Sequence, residues 1–251
     1  MTFPLVPITT KNSHACIFIC NVEYIGAGSG TTKLLLHLNG NSTDSSGNGN
    51  NGTDTNITYS LANGKFGQGA GFNGSSSRIQ IPYSATLDSG TGGFSISCWF
   101  KTTQATSGLF YYRQEASGSH YQIQILGIGS ATAGKPYFAL RGSENNYYDL
   151  STNNAYNDGS WHHIVGVYGG SSDKNLLIYV DGSLDNSTSI ATAQTITYSS
   201  STVLSIGRWY QSWASNACDY YNGSLDEMIF ETKAWTAAEI KKYYTNSLGR
   251  F

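Results

Sequence analysis

Strand-length segments that alternate apolar and polar residues, each closed by Gly, Asn or Ser, recur from residue 33 to residue 231 and leave little room for anything else. A period of two puts alternate side chains on opposite faces of a strand, so each segment offers one face to a core. The clearest is Phe94–Lys101. Phe94, Ile96, Cys98 and Phe100 share one face, and Ser95, Ser97, Trp99 and Lys101 share the other. An apolar run at 34–38 also reads as a strand, and further strands read at 77–81, 109–114, 121–128, 137–141, 162–168, 176–180, 203–207 and 223–231. The Ser/Asn/Gly stretch 39–55 reads as loop, and Asp181-Gly182 reads as a tight turn between strands.

One helix departs from that rhythm. Thr236-Ala237-Ala238-Glu239 is a capping box, with Trp235 and Ile240 placed as a hydrophobic staple around it. The helix is expected to run to about Asn246, ahead of Gly249. Many short strands and one terminal helix predict an all-β fold, an antiparallel β-sandwich. A chain of 251 residues can hold two small domains, but sandwiches of this length often form one.

Charge excludes several partners. Only 12% of the residues are charged and the formal net charge is −2. The longest basic run is Lys241-Lys242, which gives a nucleic acid no electrostatic footprint. No stretch approaches the ~20 apolar residues of a membrane span.

Residues 1–32 do not follow the strand-and-turn pattern. The segment 15–25 reads as one strand, with Cys16, Phe18, Cys20, Val22 and Tyr24 on a wholly apolar face. A Gly/Ser/Thr linker follows over 26–32. The expected division is an arm at 1–32 and a sandwich at 33–251. Met1 to Thr10 carry no Lys or Arg, and the apolar core at 15–20 is shorter than a signal-peptide core, so the arm does not read as a secretion signal. An apolar strand does not stay exposed in water. It folds back on its own sandwich, or it adds to the edge of a neighbouring copy as a donor strand does. The second arrangement repeats head to tail and builds a filament unless it closes.

The cysteines are Cys16, Cys20, Cys98 and Cys218, with no CxxC spacing for zinc. Cys16 and Cys20 on one extended strand lie about 13 Å apart, too far to bridge each other. Each would have to reach Cys98, Cys218 or another chain, and buried free thiols are the other reading.

A family pattern also runs through these pieces. Its residues are LLLHLNG at 34–40 with DSSGNGNNG at 44–52, GKFGQGAGFNG at 64–74, and FSISCWFK at 94–101. They continue with WHHIV at 161–165, LIYVDG at 177–182, and NGSLDE at 222–227 leading through Phe230 to Ala234-Trp235-Thr236. In this order they resemble the laminin-G-like jelly roll of the concanavalin-A-like superfamily. The resemblance implies the sandwich fold. It does not fix function, because such domains serve enzymes, adhesins and fibres alike.

Catalysis in related glucanases requires a Glu-x-Asp-x-x-Glu strand, with two carboxylates flanking the scissile bond at about 5–9 Å. Glu23, Glu115, Glu144, Glu227, Glu231 and Glu239 do not stand in that pattern, and Asp226-Glu227 with Glu231 is the nearest approach. The chain is therefore expected not to be an enzyme. Relatives also hold a rim calcium, for which Asp44 and Asp226 match the positions. His162-His163 point to opposite faces of a strand, so packing is expected of them rather than metal binding.

A saccharide site would use aromatics with a few polar groups. The candidates are Tyr111, Tyr112, Arg113, Tyr121, Tyr147, Tyr148, Trp209, Tyr210 and Trp213. A Tyr-rich surface suits a protein interface equally well. Asn-x-Ser/Thr sequons stand at Asn41, Asn51, Asn56, Asn73, Asn186 and Asn222, used only in a host that glycosylates.

The leading expectation is a non-enzymatic structural protein, extracellular or on a cell or virion surface. It would assemble with copies of itself through the strand at 15–25. The alternative is a carbohydrate-binding, lectin-like adhesion module, with or without calcium. A glycoside hydrolase or lyase is the remote third.

Overall fold

The computed structural model describes residues 30–249 except 107, 118–119, 130–131, 143–145, 199–201 and 209–218, and omits the side chains of 109, 114–117 and 120–123. In chain order the strands are β1 (Thr32–Leu36), β2 (Thr53–Thr55), β3 (Thr58–Ser60), β4 (Gly69–Asn73) and β5 (Arg78–Ile81). Then come β6 (Phe94–Lys101), β7 (Gly108–Ser117), β8 (His120–Ile128), β9 (Pro136–Arg141) and β10 (Tyr147–Ser151). The last are β11 (Trp161–Tyr168), β12 (Asn175–Val180), β13 (Ser183–Ser189), β14 (Leu204–Ile206) and β15 (Asn222–Glu231), before helix α1 (Ala237–Leu248).

Among the described residues the strands form two antiparallel sheets. The larger, eight-stranded sheet runs β13-β12-β11-β6-β15-β4-β3, with β1 also paired to β15. The smaller, seven-stranded sheet runs β10-β9-β8-β7-β14-β5-β2. The inward residues of β6 do what their alternation predicts. Phe94 packs on Phe138 of the opposite sheet and on Phe230, with ring centroids 5.9 Å apart in both cases. Phe100 stacks on Phe110 at 4.7 Å. Offset and edge contacts of this kind add to the burial that holds the sheets together.

Two local predictions hold at the residue level. Asp181 and Gly182 take φ of 50° and 74°, the left-handed pair a two-residue hairpin needs, and they join β12 to β13. In the capping box, the Thr236 side chain accepts from the Glu239 amide while the Glu239 carboxylate accepts from the Thr236 amide. Trp235 and Ile240 are both buried in one apolar cluster.

Several expectations need correction. β2 closes the stretch read as pure loop, and β3, β4, β10 and β13 were not read as strands. β13 (SLDNSTS) is an edge strand whose seven residues are exposed or half-buried, so it carries no apolar alternation to find. β15 is not a plain strand. Its partner changes from β4 (residues 222–225) to β1 (residues 228–231), and a bulge lies between Asp226 and Ile229. Glu227 sits in the bulge at φ 50°.

The outward residues of β6 are not solvated either, except at one end. Ser95 accepts the Trp235 amide and donates to the Lys233 carbonyl, fixing the approach to α1. Ser97 bonds His163 at 2.8 Å, and Trp99 stacks on Tyr244 of the helix. With Val165, Val167, Ile229, Trp235 and Tyr243 buried around them, α1 seals half of the sheet's outer face. Lys101, the last residue of β6, is half-exposed beyond it.

Candidate functional site

The uncovered half of that face holds a pocket of about 370 Å³. This lies within the roughly 300–1,000 Å³ usual for small-molecule sites. Three strand pairs build it. Thr58 faces Gly71 across β3 and β4, Gly71 faces Ser224 across β4 and β15, and Asn73 faces Asn222 one step along. The segment Leu61–Asn63, a 3-10 turn, brings Asn63 back over the strands. Asn63 donates Nδ2 to the Thr58 carbonyl (3.0 Å) and accepts from the Ser224 hydroxyl (3.1 Å). Gly71 makes this possible, because a Cβ there would lie 2.3 Å from Asn63 Nδ2.

The lining is uncharged and mixed, with the amides of Asn63, Asn73 and Asn222 and the hydroxyls of Thr58 and Ser224 beside apolar surface that includes Phe72. Asn73 spends its carbonyl oxygen on the amides of Ser75, Ser76 and Ser77, so it holds a turn as well as a wall. Asn222 is different. Its backbone is anchored to Gln104 and Thr102, but its side-chain amide makes no hydrogen bond among the described residues. Next to Ser224, on the adjoining strand, is Lys101, and next to Lys101 is Trp161. The Lys101 ammonium donates to the Ala62 carbonyl (3.2 Å) and lies 5.2 Å from the Trp161 ring centroid.

Glu23, Glu144 and the Glu115 side chain lie outside the described residues, and the other carboxylates named from sequence are engaged by the fold. Asp44 accepts from the amides of Leu35, Ser46 and Asn50 and from the Ser46 hydroxyl. Asp226 accepts from the amides of Lys65, Phe66 and Glu227. Burial, reinforced by the adjacent Glu227, nevertheless pushes its carboxyl up to about 7. Glu227 pairs with His37 at 3.1 Å, and Glu231 receives Thr32 and the Trp235 indole. These bonds tie down the ends of β1 and β15. Among the described residues no three His, Cys, Asp or Glu side chains gather as a metal site. His162 and His163 part as expected. His162 bonds Asp181 and Asp158, while His163 lies under α1 with its imidazole pushed down to about 3 by burial.

The aromatic candidates are scattered. Tyr111 and Arg113 point into the sandwich, which corrects their reading as surface groups. Tyr111 stacks on Phe230, and Arg113 binds the Leu87 carbonyl and Asp88 under the Tyr198 ring. Tyr112 is buried with Ile125 and Tyr137. Tyr147 is 47% exposed, and Tyr148 packs against the core. The side chain of Tyr121, and Trp209, Tyr210 and Trp213 entirely, lie outside the described residues, as do Cys16, Phe18, Cys20, Val22, Tyr24 and Cys218. Cys98 is a free thiol in the core. Of the sequons, Asn41, Asn51, Asn56, Asn73 and Asn222 are exposed, and Asn186 is half-buried with its amide on the Ser151 carbonyl. The pocket's Thr58, Asn63 and Ser224, and Lys101 beside it, carried no sign of a site in the sequence. Asn73 and Asn222 were noticed only as sequons, because no local signal pairs residues so far apart in sequence.

A family model described as the concanavalin A-like lectin/glucanases superfamily matches residues 73–241. No curated protein sequence matches the chain. Among solved structures, domain 4 of AbnA, a GH43 extracellular arabinanase from Geobacillus stearothermophilus in complex with arabinotriose, is similar at 20% identity and a TM-score of 0.64. That likeness covers 85% of this chain and 98% of the other. The binding domain of Paraclostridial Mosquitocidal Protein 1 is similar at 14% identity and a TM-score of 0.66, over 87% of this chain and 53% of that one. The binding domain of Botulinum neurotoxin DC in complex with SialylT is similar at 17% identity and a TM-score of 0.61, over 86% and 52%. The chain thus spans about half the length of the toxin binding domains it matches. The two toxin structures are binding domains, the arabinanase domain was solved with arabinotriose, and self-assembly through the N-terminal strand draws no support from any of them.

Proposed function

Because this chain belongs to the concanavalin A-like lectin/glucanase superfamily, we propose that it is a non-catalytic carbohydrate-binding module that holds a saccharide in the pocket between β3, β4 and β15. The observation that carries this is the Asn222 amide. It stands in a hollow lined by neutral hydrogen-bonding groups, with no duty to the fold among the described residues. Amides and hydroxyls are the partners a sugar's hydroxyls need, each giving and taking a hydrogen bond. The half-exposed Trp161 beside the pocket adds an apolar surface of the kind a pyranose face covers.

Support from outside the chain is the solved arabinanase domain, matched over nearly its whole length and holding arabinotriose. Its parent enzyme is extracellular, in keeping with extracellular work for this chain. Calorimetric titration with arabino-, galacto- and gluco-oligosaccharides tests the proposal. Asn222→Ala removes about one to two neutral hydrogen bonds, so the affinity should drop about tenfold while the fold stays intact. Binding that Asn222→Ala leaves untouched would move the site elsewhere, and the exposed Tyr147 would be next to mutate.

A further inference from the structure

We infer that the saccharide is an acidic one, and that its carboxylate is read by Lys101. This rests on the pocket being the sugar site. Lys101 occupies an outward position directly across from Ser224 in the pocket wall and from Trp161 on its other side. Its ammonium is held in place by the Ala62 carbonyl and the Trp161 ring, so it is not a freely waving surface lysine. Neither contact neutralises it. An ammonium has three donor positions, and the carbonyl takes one.

Two other held cations are neutralised by an acid, while Lys33, on the Gly30 carbonyl, is not. Arg113 is paired with Asp88, and Lys233 with Glu239. Among the described residues no carboxylate lies within ion-pair distance of Lys101. Acids on or beside the neighbouring strands are otherwise engaged. Asp158 and Asp181 hold His162, and Asp226, outward on the same strand as Ser224, takes three backbone amides. A second ammonium, Lys65, stands over the Trp99 ring at 4.9 Å on the same face. A cation fixed in position without an acid, beside an uncharged hydrogen-bonding pocket, is a seat for the anionic group of a ligand whose remainder is polyhydroxylated. A uronic acid has both parts. Its carboxylate reaches Lys101, and its ring hydroxyls meet the Asn63, Asn222 and Ser224 groups.

The test compares matched oligosaccharides: galacturonate, neutral galactose, and sulfated galactose of the same length. Each is titrated into the wild type, Lys101→Met, Lys101→Arg and Asn222→Ala. The uronate should bind about tenfold more tightly than the neutral sugar at low salt, as expected for one charge-assisted contact at a partly exposed site. That preference should shrink in 0.5 M salt, disappear in Lys101→Met and survive in Lys101→Arg. Equal affinity for uronate and neutral sugar overturns the inference but leaves the sugar site standing, provided that Asn222→Ala still weakens both. A preference for sulfate with none for uronate overturns the carboxylate assignment. Equal weakening of neutral and acidic sugars by Lys101→Met would mean that the lysine only caps Ala62, and it also overturns the inference. No saccharide binding at all would remove the proposed function together with it. An unchanged melting temperature for Lys101→Met confirms that the comparison is between folded proteins.

Discussion

The outer face of the eight-stranded sheet is two surfaces joined along β6. On one half Val165, Val167, Ile229 and Leu35 point outward and are buried under α1 with Trp235, Ile240 and Tyr243. On the other half Thr58, Asn73, Asn222 and Ser224 point outward from the same sheet, with only the 3-10 turn Leu61–Asn63 over them among the described residues. Both halves share backbone geometry, so the difference lies in the side chains. Apolar outward residues must be covered, and their cover fixes their identity by packing. Polar outward residues satisfy themselves with water and stay free to recognise something else. One strand shows the passage. Ser95 fixes the approach to the helix, Ser97 holds His163 beneath it, Trp99 stacks on it, and Lys101 stands beside the pocket.

The contrast can be broken most sharply at Trp235, which is buried and donates its indole N–H to Glu231. Trp235→Ala should cost about 3–5 kcal/mol in urea unfolding. A loss below about 1 kcal/mol would mean that the helix does not secure its half of the face.

The next effect is on pH dependence. Burial holds His163 near 3, so it stays neutral in the fold while the unfolded chain takes up a proton below about 6.5. It therefore adds stability as pH rises from about 3 to about 6.5. Asp226, raised to about 7, keeps its proton in the fold where the unfolded chain has lost it. It therefore removes stability as pH rises from about 4 to about 7. In the wild type the two slopes oppose each other. In His163→Gln the urea midpoint should fall between pH 4 and 7, by up to about 1.4 kcal/mol per pH unit. A midpoint that still rises in this variant would mean that burial does not hold the proton on Asp226.

On the bare half, stability and binding should separate. Asn222→Ala should change stability by less than about 0.5 kcal/mol, in line with an exposed side chain without partners. Asn73→Ala should cost about 1 kcal/mol, because Asn73 also holds the turn over Ser75–Ser77. Equal destabilisation by both would blur the distinction between a scaffold residue and a ligand residue. The smallest expected effect is that of a chelator. Sugar affinity with and without EDTA should agree, and a loss on chelation would return attention to Asp44 and Asp226.

What the sequence determined by itself is local. The alternation of Phe94–Lys101 gave the inward set that fills the core, the Thr236/Glu239 spacing gave the start of α1, and Asp181-Gly182 gave a hairpin. Each depends on neighbours a few residues apart, where periodicity and capping act. The run at Tyr111–Arg113 could not be oriented in the same way. Both of its faces are buried, so the polar and apolar contrast that marks a half-solvated strand is missing. The pocket belonged wholly to the tertiary structure. Asn73 meets Asn222, Gly71 meets Ser224, and Ser224 meets Lys101 through antiparallel pairings between strands distant in sequence. Such pairings are set by how the two sheets close on their core, and no local pattern of residues encodes them.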